Sequence, residues 1–261
     1  MRLMLLFPCS MEAVFNPKLL CLPAEDLLKK LSKEINKLPN IRFFSLDIHN
    51  SLYPKKIFNE EGFEFVSIDP TQEMVGEIAN FLFKKRMINI PVKIVACDTG
   101  SIPRTEKLAE KLLISPDLPA GRQVEVVYMQ KKRIQAGVVS SAKIAKIEKW
   151  KKEGKKIIKS TLGVPKKSSL KETVLIYSDD MIDTGGTAEK DINFLSGIYP
   201  NCAIKIFVAT HPVLSRGHSA FKRIGADIYF VGNSLNIEGL SEQSNVRLVD
   251  MASAIYRAIV K

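Results

Sequence analysis

The string Asp179-Asp180-Met181-Ile182-Asp183-Thr184-Gly185-Gly186-Thr187 gathers carboxylates, glycines and threonine hydroxyls in one short stretch. It follows the apolar run Val174-Leu175-Ile176-Tyr177 and precedes Ala188-Glu189-Lys190, which can open a helix. A strand, an acidic turn, a Gly/Thr loop and a helix start, in that order, suit a sugar phosphate. The paired carboxylates accept hydrogen bonds from ribose hydroxyls, and the Gly185 and Gly186 amides, with no Cβ in the way, can wrap a phosphate at a helix N-terminus. Thr184 and Thr187 add hydroxyl donors. A bare Gly-Gly-Thr is more often an ordinary capped turn; the whole string after an apolar strand is far more specific.

Three further constellations stand at strand ends. Asp98-Thr99-Gly100-Ser101 follows Ile94-Val95-Ala96-Cys97, with Arg104 and Lys107 just beyond, and can form a second anion pocket. A diphosphate needs such a second cradle. Asp47-Ile48-His49-Asn50 ends another strand, where carboxylate and imidazole can help hold a magnesium ion that keeps waters and phosphates. Lys131-Lys132-Arg133 follows Val124-Glu125-Val126-Val127-Tyr128-Met129, and cations there could close over a transferring phosphoryl group. His211, His218 and Trp150 receive no role.

The elements that must position these residues alternate between apolar runs and helical patterns, which predicts α/β architecture with a mostly parallel sheet. Strands are expected near 3–7, 42–47, 63–68, 92–97, 124–129, 173–178, 203–209 and 227–231. Helices are expected near 24–37, 71–85, 103–114, 187–197, 214–224 and 249–259. Leu27, Leu28, Leu31 and Ile35 form the apolar stripe of the first helix. Pro70 marks a lobe boundary, giving domains at 1–69 and 70–261. The segment 134–170 breaks the alternation. Ile144, Ile147 and Ile158 suggest a weak helix over 142–158, while Gly154 and the dense lysines count against it. The tract 118–123 reads as a surface insertion.

The net charge of +11 is concentrated. Residues 131–171 hold 14 Lys/Arg against Glu148 and Glu153, leaving 25 basic and 26 acidic residues elsewhere. Such a basic insertion fits a mobile connection beside a polyphosphate site, a nucleic-acid surface, or a solvated face with no partner. Cys9, Cys21, Cys97 and Cys202 are scattered, without metal-ligand spacing, which predicts a reducing cytoplasmic setting. No apolar stretch is long enough to span a membrane as a helix.

Taken in order, these pieces resemble the ribose-phosphate diphosphokinase (PRPP synthetase) family, with its type I phosphoribosyltransferase fold. Asp47-Ile48-His49 is similar to the family's Asp-Leu-His strand end, and Asp98 to Ser101 with Arg104 to its Asp-Val-Gly-Gly turn and arginine. Lys131-Lys132-Arg133 resembles the Lys-Arg-Arg that opens its catalytic loop. Residues 179–187 match its ribose-phosphate motif, with Gly185 in place of alanine, and Thr210-His211-Pro212-Val213-Leu214-Ser215 resembles Thr-His-Gly-Val-Leu-Ser. The likeness covers roughly 41–261.

The resemblance implies two phosphoribosyltransferase-type lobes, the first truncated. It implies diphosphoryl transfer from MgATP to ribose 5-phosphate, giving PRPP and AMP for nucleotide biosynthesis. Asp179 and Asp180 would hold ribose hydroxyls. Asp183, Thr184, Gly185, Gly186 and Thr187 would hold the 5-phosphate, and Asp98, Thr99, Gly100, Ser101 and Arg104 would face the diphosphate. His49 and Asp98 would hold Mg2+, and Lys131 and Arg133 would act on the migrating group. A homo-oligomer is implied as well. The family's N-terminal part and its ATP-binding Arg-Gln-Asp-Arg stretch have no match, the corresponding Pro8 to Phe15 having no arginine. Three alternatives therefore stay open: a phosphoribosyltransferase, a non-catalytic or regulatory homologue that binds sugar phosphate, and a nucleic-acid-binding protein using the basic segment.

Overall fold

A computed structural model describes residues 2–6, 41–48, 52–60, 62–119, 121–135, 138–164 and 171–260. The chain divides into two compact units, one of residues 1–70 with 251–261 and the other of residues 71–250. The helix expected over 24–37, His49 and the stretch 8–15 lie outside the described residues.

In the first unit, β1 (Arg2–Leu6), β2 (Ile41–Leu46), α1 (Leu52–Glu60) and β3 (Glu64–Ile68) follow in order. The strands form a parallel sheet in the order β1-β2-β3. Its core is aromatic: Phe43 stacks on Phe58 at 4.1 Å between ring centroids, and Phe63 meets Phe43 edge-on at 5.3 Å. Offset and edge-to-face pairs of this kind add to the area they bury.

The second unit continues with α2 (Thr71–Lys84), β4 (Val92–Ala96), α3 (Ile102–Ile114), β5 (Gln123–Gln135), β6 (Val138–Glu153), β7 (Lys156–Leu162), β8 (Thr173–Ile182), α4 (Gly186–Ile198), β9 (Cys202–Pro212), α5 (Ser219–Ile224), β10 (Ile228–Gly232) and β11 (Val246–Val249). A short 3₁₀ turn at Leu240–Glu242 precedes β11, and α6 (Ala252–Ile259) belongs to the first unit and packs on β3. The eight strands order as β11-β10-β9-β8-β4-β5-β6-β7. All neighbours are parallel except β5/β6 and β6/β7. The fold is thus α/β with a mostly parallel sheet flanked by helices.

The buried strands read as near-continuous apolar runs because both faces are covered. Val95, Val127, Leu175, Tyr177 and Phe207 pack under α4 and α5 through Ile192, Leu195, Phe221 and Ile224. Alternate residues such as Ile94 and Val126 face the opposite side, where α2 and α3 bury Ile78, Leu82, Leu108 and Leu112. Burying one such side chain is worth about 1.5–3 kcal/mol.

The segment 134–170 departs from the sequence reading. Residues 142–158 are not helical but strand: β6 and β7 extend the sheet as antiparallel neighbours of β5. The reason is Trp150, which is 1% exposed on β6 and anchors it to the layer that contains Val124 and Val126. Its indole Nε1 donates to Glu148 Oε2 at 3.1 Å. The helix expected over 214–224 shrinks to α5, with Leu214 in a left-handed turn (φ 47°). Among the described residues, no helix is long and apolar enough to cross a membrane. Among the described residues, Cys97 and Cys202 form no disulfide.

Candidate functional site

The strand order fixes where a site can form. From β4 the chain proceeds outward through β5, β6 and β7, whereas from β8 it proceeds the other way through β9, β10 and β11. Strand order therefore reverses between β4 and β8, and in open α/β sheets ligands bind beyond the carboxyl ends of strands at such a switch point. Ala96 lies beside Ser178 in the β4/β8 register, so Asp98 to Ser101 leaves the sheet beside the last residues of β8, where Asp179 to Ile182 stay paired with β9.

Each loop is held by its own hydrogen bonds. The Ser101 amide donates to Asp98 Oδ1 at 3.0 Å, the Asp98 amide donates to Ser101 Oγ at 3.1 Å, and that hydroxyl donates to the Asp98 carbonyl at 2.9 Å. Ser101 is buried, which leaves Thr99 and Gly100 exposed at the crest just before α3. Pro103 at the start of α3 has no N–H to lose and a φ already helical.

Asp180 is buried, and its amide donates to Asp179 Oδ1 at 3.0 Å. The Asp179 carboxyl is pushed up to about 8, first by removal from water, then by repulsion from Asp180 and a hydrogen bond with it. Arg104, in the first turn of α3, partly opposes the shift. Two carboxyl groups this close do not both ionise readily, so the pair is set to accept hydroxyl donors or a cation. Arg104 links the two loops: it follows Asp98 to Ser101 in the chain and acts electrostatically on the Asp179 carboxyl.

The loop from Asp183 to Thr187 is more constrained than its sequence suggests. Gly185 caps α4 with φ 75°, and a Cβ there would lie 2.6 Å from Ile224 Cγ1 and 3.0 Å from the Ala220 carbonyl oxygen. Only glycine fits that left-handed position without strain. Asp183 Oδ1 accepts from the Ser215 amide at 3.0 Å, while the Val213 and Leu214 amides donate to the Ile182 carbonyl at 2.9 and 3.0 Å. The Thr210 to Ser215 string therefore serves to fasten the loop. His211 itself, at the end of β9, is buried, its Nδ1 2.8 Å from Ser234 Oγ. Thr187 stands exposed in the first turn of α4.

Sequence reasoning missed Arg223. From α5 its Nε donates to Glu189 Oε2 at 2.8 Å, and a Cβ built on Gly186 would meet its Nη2 at 2.9 Å. The guanidinium thus lies over the loop that the phosphate motif forms. No local pattern marks it, because α5 reaches the loop only through the packing of α4 against α5.

Lys131, Lys132 and Arg133 sit on the part of β5 beyond its last partner in β4, since Ala96 pairs with Tyr128. Their backbone pairs with Ala142, Ser141 and Val139 of β6. At about 3.3 Å per residue, Arg133 lies about 16 Å along the strand from Tyr128. At the ribbon's root the Tyr128 hydroxyl is 2.7 Å from Glu106 Oε1 and 2.8 Å from Glu148 Oε2. This arrangement ties α3 to β6 and holds the phenol above its ordinary titration range, burial being the largest cause.

In the first unit, Asp47 leaves β2 with φ 44°, its amide donating to the Ile68 carbonyl at 2.9 Å. Asp98 has the oxygen chemistry that magnesium takes, but no cluster of three ligating side chains occurs among the described residues. A magnesium ion at Asp98 would therefore need phosphate oxygens and water to complete its shell.

The model of the phosphoribosyl transferase domain family matches residues 66–235. The chain belongs to that family. The matched range runs from within β3 to just past β10 and includes both strand-end loops of this phosphoribosyl transferase domain. Among solved structures, phosphoribosylpyrophosphate synthetase from Mycobacterium smegmatis is similar over 99% of this chain and 70% of that one, at 20% identity and a TM-score of 0.64. Hypoxanthine phosphoribosyltransferase from Trypanosoma cruzi, solved with its product IMP, aligns over 64% of this chain and 80% of that one, at 12% identity and a TM-score of 0.31. The first likeness establishes the fold; the second is too slight to bear on it. No curated protein sequence matches this chain.

Proposed function

We propose that this phosphoribosyl transferase family member acts as a ribose-phosphate diphosphokinase, moving a diphosphate from MgATP to ribose 5-phosphate. The observation that carries the reading is the meeting of two phosphate-type loops, Asp98–Ser101 and Asp179–Thr187, at the switch point between β4 and β8. A cationic ribbon rises from β5 beside them. The likeness of the fold to a phosphoribosylpyrophosphate synthetase supports the same reading.

In this mechanism Asp179 and Asp180 accept hydrogen bonds from the ribose hydroxyls. The amides of Gly185, Gly186 and Thr187, at the positive end of α4, hold the 5-phosphate. Arg223 adds charge beside them. The anomeric hydroxyl attacks the β-phosphorus of ATP, the bond from that phosphorus to the AMP oxygen breaks, and the hydroxyl proton is released. Asp98 to Ser101 and Arg104 face the diphosphate, and Lys131 and Arg133 offset the charge on the group in flight. Catalysis of this kind is mostly positioning and charge stabilisation. A magnesium ion held at Asp98 would neutralise phosphate charge when bound.

AMP release from ribose 5-phosphate and MgATP tests the reading, with turnover of about 1–10³ per second expected of an ordinary enzyme. The family match favours one second reading, a phosphoribosyltransferase that consumes PRPP with a base. Release of diphosphate from PRPP only when a nucleobase is added, with no AMP formed from ATP, would decide for it. Ribose 5-phosphate binding with neither reaction would make the chain a sugar-phosphate-binding homologue.

A further inference from the structure

The opposite end of the same sheet carries a cavity of about 670 Å³. It is lined where β4, β5 and β8 begin, by residues such as Ile90, Lys93, Arg122, Glu125, Lys149 and Lys171. Its volume falls within the range of roughly 300–1,000 Å³ typical of small-molecule sites. From Thr173 at this end to Asp179 at the other, β8 spans about 20 Å at some 3.3 Å per residue. The two regions are therefore separate.

Its charges are unevenly matched. The register places Lys93 beside Glu125 and Glu125 beside Lys149, a cross-strand row on one face of the sheet. Glu125 forms its ion pair with Lys93, whose ammonium also lies 5.0 Å from the centre of the Tyr199 ring. Among the described residues neither Lys149 nor Lys171, which also lines the cavity, has a carboxylate partner. Arg122 is pinned by its own chain: Nη1 donates to the Ile88 carbonyl at 2.5 Å and Nη2 to the Ile90 carbonyl at 3.3 Å. Its Nε is buried without a hydrogen-bond partner among the described residues. Burial lowers the pKa of this guanidinium, so a nearby anion would stabilise it. Against these cations stand Glu172 and the walls formed by Ile88, Ile90, Pro91 and Pro119.

We infer that this cavity binds a small organic anion, its charge held by Lys149 and Lys171 and its apolar body against Ile90, Pro91 and Pro119. The apolar walls distinguish such a ligand from a free inorganic ion, which would leave them in water. Arg122, fixed by two carbonyls, supplies a pre-set positive field rather than a moving contact.

Calorimetric titration of the full chain with phenyl phosphate tests the assignment, because that probe joins a dianion to one aromatic ring. Binding is expected, with inorganic phosphate about tenfold weaker or worse, since burying the ring is worth at least the 1.4 kcal/mol of one decade. The Lys149→Ala, Lys171→Ala double variant should bind phenyl phosphate more than about tenfold less tightly, as for loss of charged hydrogen bonds. Lys152→Ala, on the same ribbon but outside the cavity lining, should bind as the unaltered chain does. Thermal melts identify any double variant that has lost its fold, in which case Lys149→Gln and Lys171→Gln replace it. Absence of phenyl phosphate binding, equal binding by the folded double variant, or inorganic phosphate binding as tightly would each overturn the inference.

Discussion

At the exit of β8, Asp179 and Asp180 share one confined space, capped by a glycine that no other residue could replace without strain. Along β6, its turn and β7, lysines stand in solvent while Trp150 is buried beneath them. The first region crowds like charge into a small space, and the second spreads like charge over an extended surface. What holds each in place also differs. The β8 exit is fixed by hydrogen bonds to neighbouring loops, whereas the ribbon is fixed by one large aromatic anchor and the ladders on either side of β6.

The anchor gives the largest expected effect. Trp150→Ala should destabilise the protein by about 3–5 kcal/mol, the range for emptying an aromatic site in a core. Urea unfolding followed by far-UV circular dichroism measures it. A loss below 1 kcal/mol would mean that β6 contributes little to the sheet and that the ribbon is a solvated appendage.

Next comes Gly185→Ala. A left-handed alanine costs about 1–2 kcal/mol, and crowding against Ile224 and Ala220 adds about 1–3 kcal/mol. Gly186→Ala should cost much less, because the atoms that it meets belong to the far end of the Arg223 side chain. Parallel unfolding curves of the two variants make the contrast direct, and equal costs would refute the strained cap.

Asp180→Ala should weaken ribose 5-phosphate binding by about 1.5–3 kcal/mol, the worth of a hydrogen bond to a charged group. Titration calorimetry reads it. Unchanged affinity would remove the ribose assignment from the β8 exit, leaving it an acidic turn.

The comparison also explains what sequence could and could not disclose. The strand, turn and helix start over 174–190 were legible because a strand-end turn is a local device: the apolar run, the carboxylates and the glycines that shape it are consecutive. The α/β alternation was legible for the same reason in β4, β8, β9 and β10, whose buried faces write continuous apolar runs. The ribbon was not legible. Met129 pairs with Ile144 and Val127 with Ile147, so both isoleucines face the same core, yet a bulge opposite Tyr128/Met129 inserts one residue between them. Their spacing of three then imitates a helical period. Trp150 gave no sign of being an anchor, because its burial depends on a neighbour strand. Arg223 was hidden in the same way, since it reaches Gly186 and Glu189 from another helix. β11, at only four residues, and α1 lacked enough periodicity to be seen.

A pH measurement sharpens the account of the acidic pair. The folded-state pKa of Asp179 lies above the ordinary value of 3.8, so the folded chain holds this proton more tightly than the unfolded one. Its contribution to stability is full at pH values below 3.8 and is lost as pH rises through about 8. Asp179→Asn, which cannot ionise, should flatten that part of the stability profile and melt higher than the unaltered chain above pH 8. A profile of unchanged slope would show that the two carboxyls are not coupled as the geometry indicates.

The smallest effect belongs to the ribbon's surface. Lys159 places its ammonium 3.6 Å from the centre of the Trp150 ring, from the neighbouring position on β7. An exposed cation–π contact is worth about 0.5–1 kcal/mol, so Lys159→Ala should cost no more than that. Lys151→Ala, which breaks only an exposed pair with Glu153, should cost about 0–1 kcal/mol. These values lie several-fold below the Trp150→Ala loss because a solvated ammonium gives up little when it leaves a surface, whereas an indole removed from a packed layer leaves a void. Should Lys159→Ala approach the cost of Trp150→Ala, the indole would owe its place to the cation above it and not to the core beneath. The combined Trp150→Ala, Lys159→Ala variant then separates the two causes, since in the arrangement described here its loss stays close to that of Trp150→Ala alone.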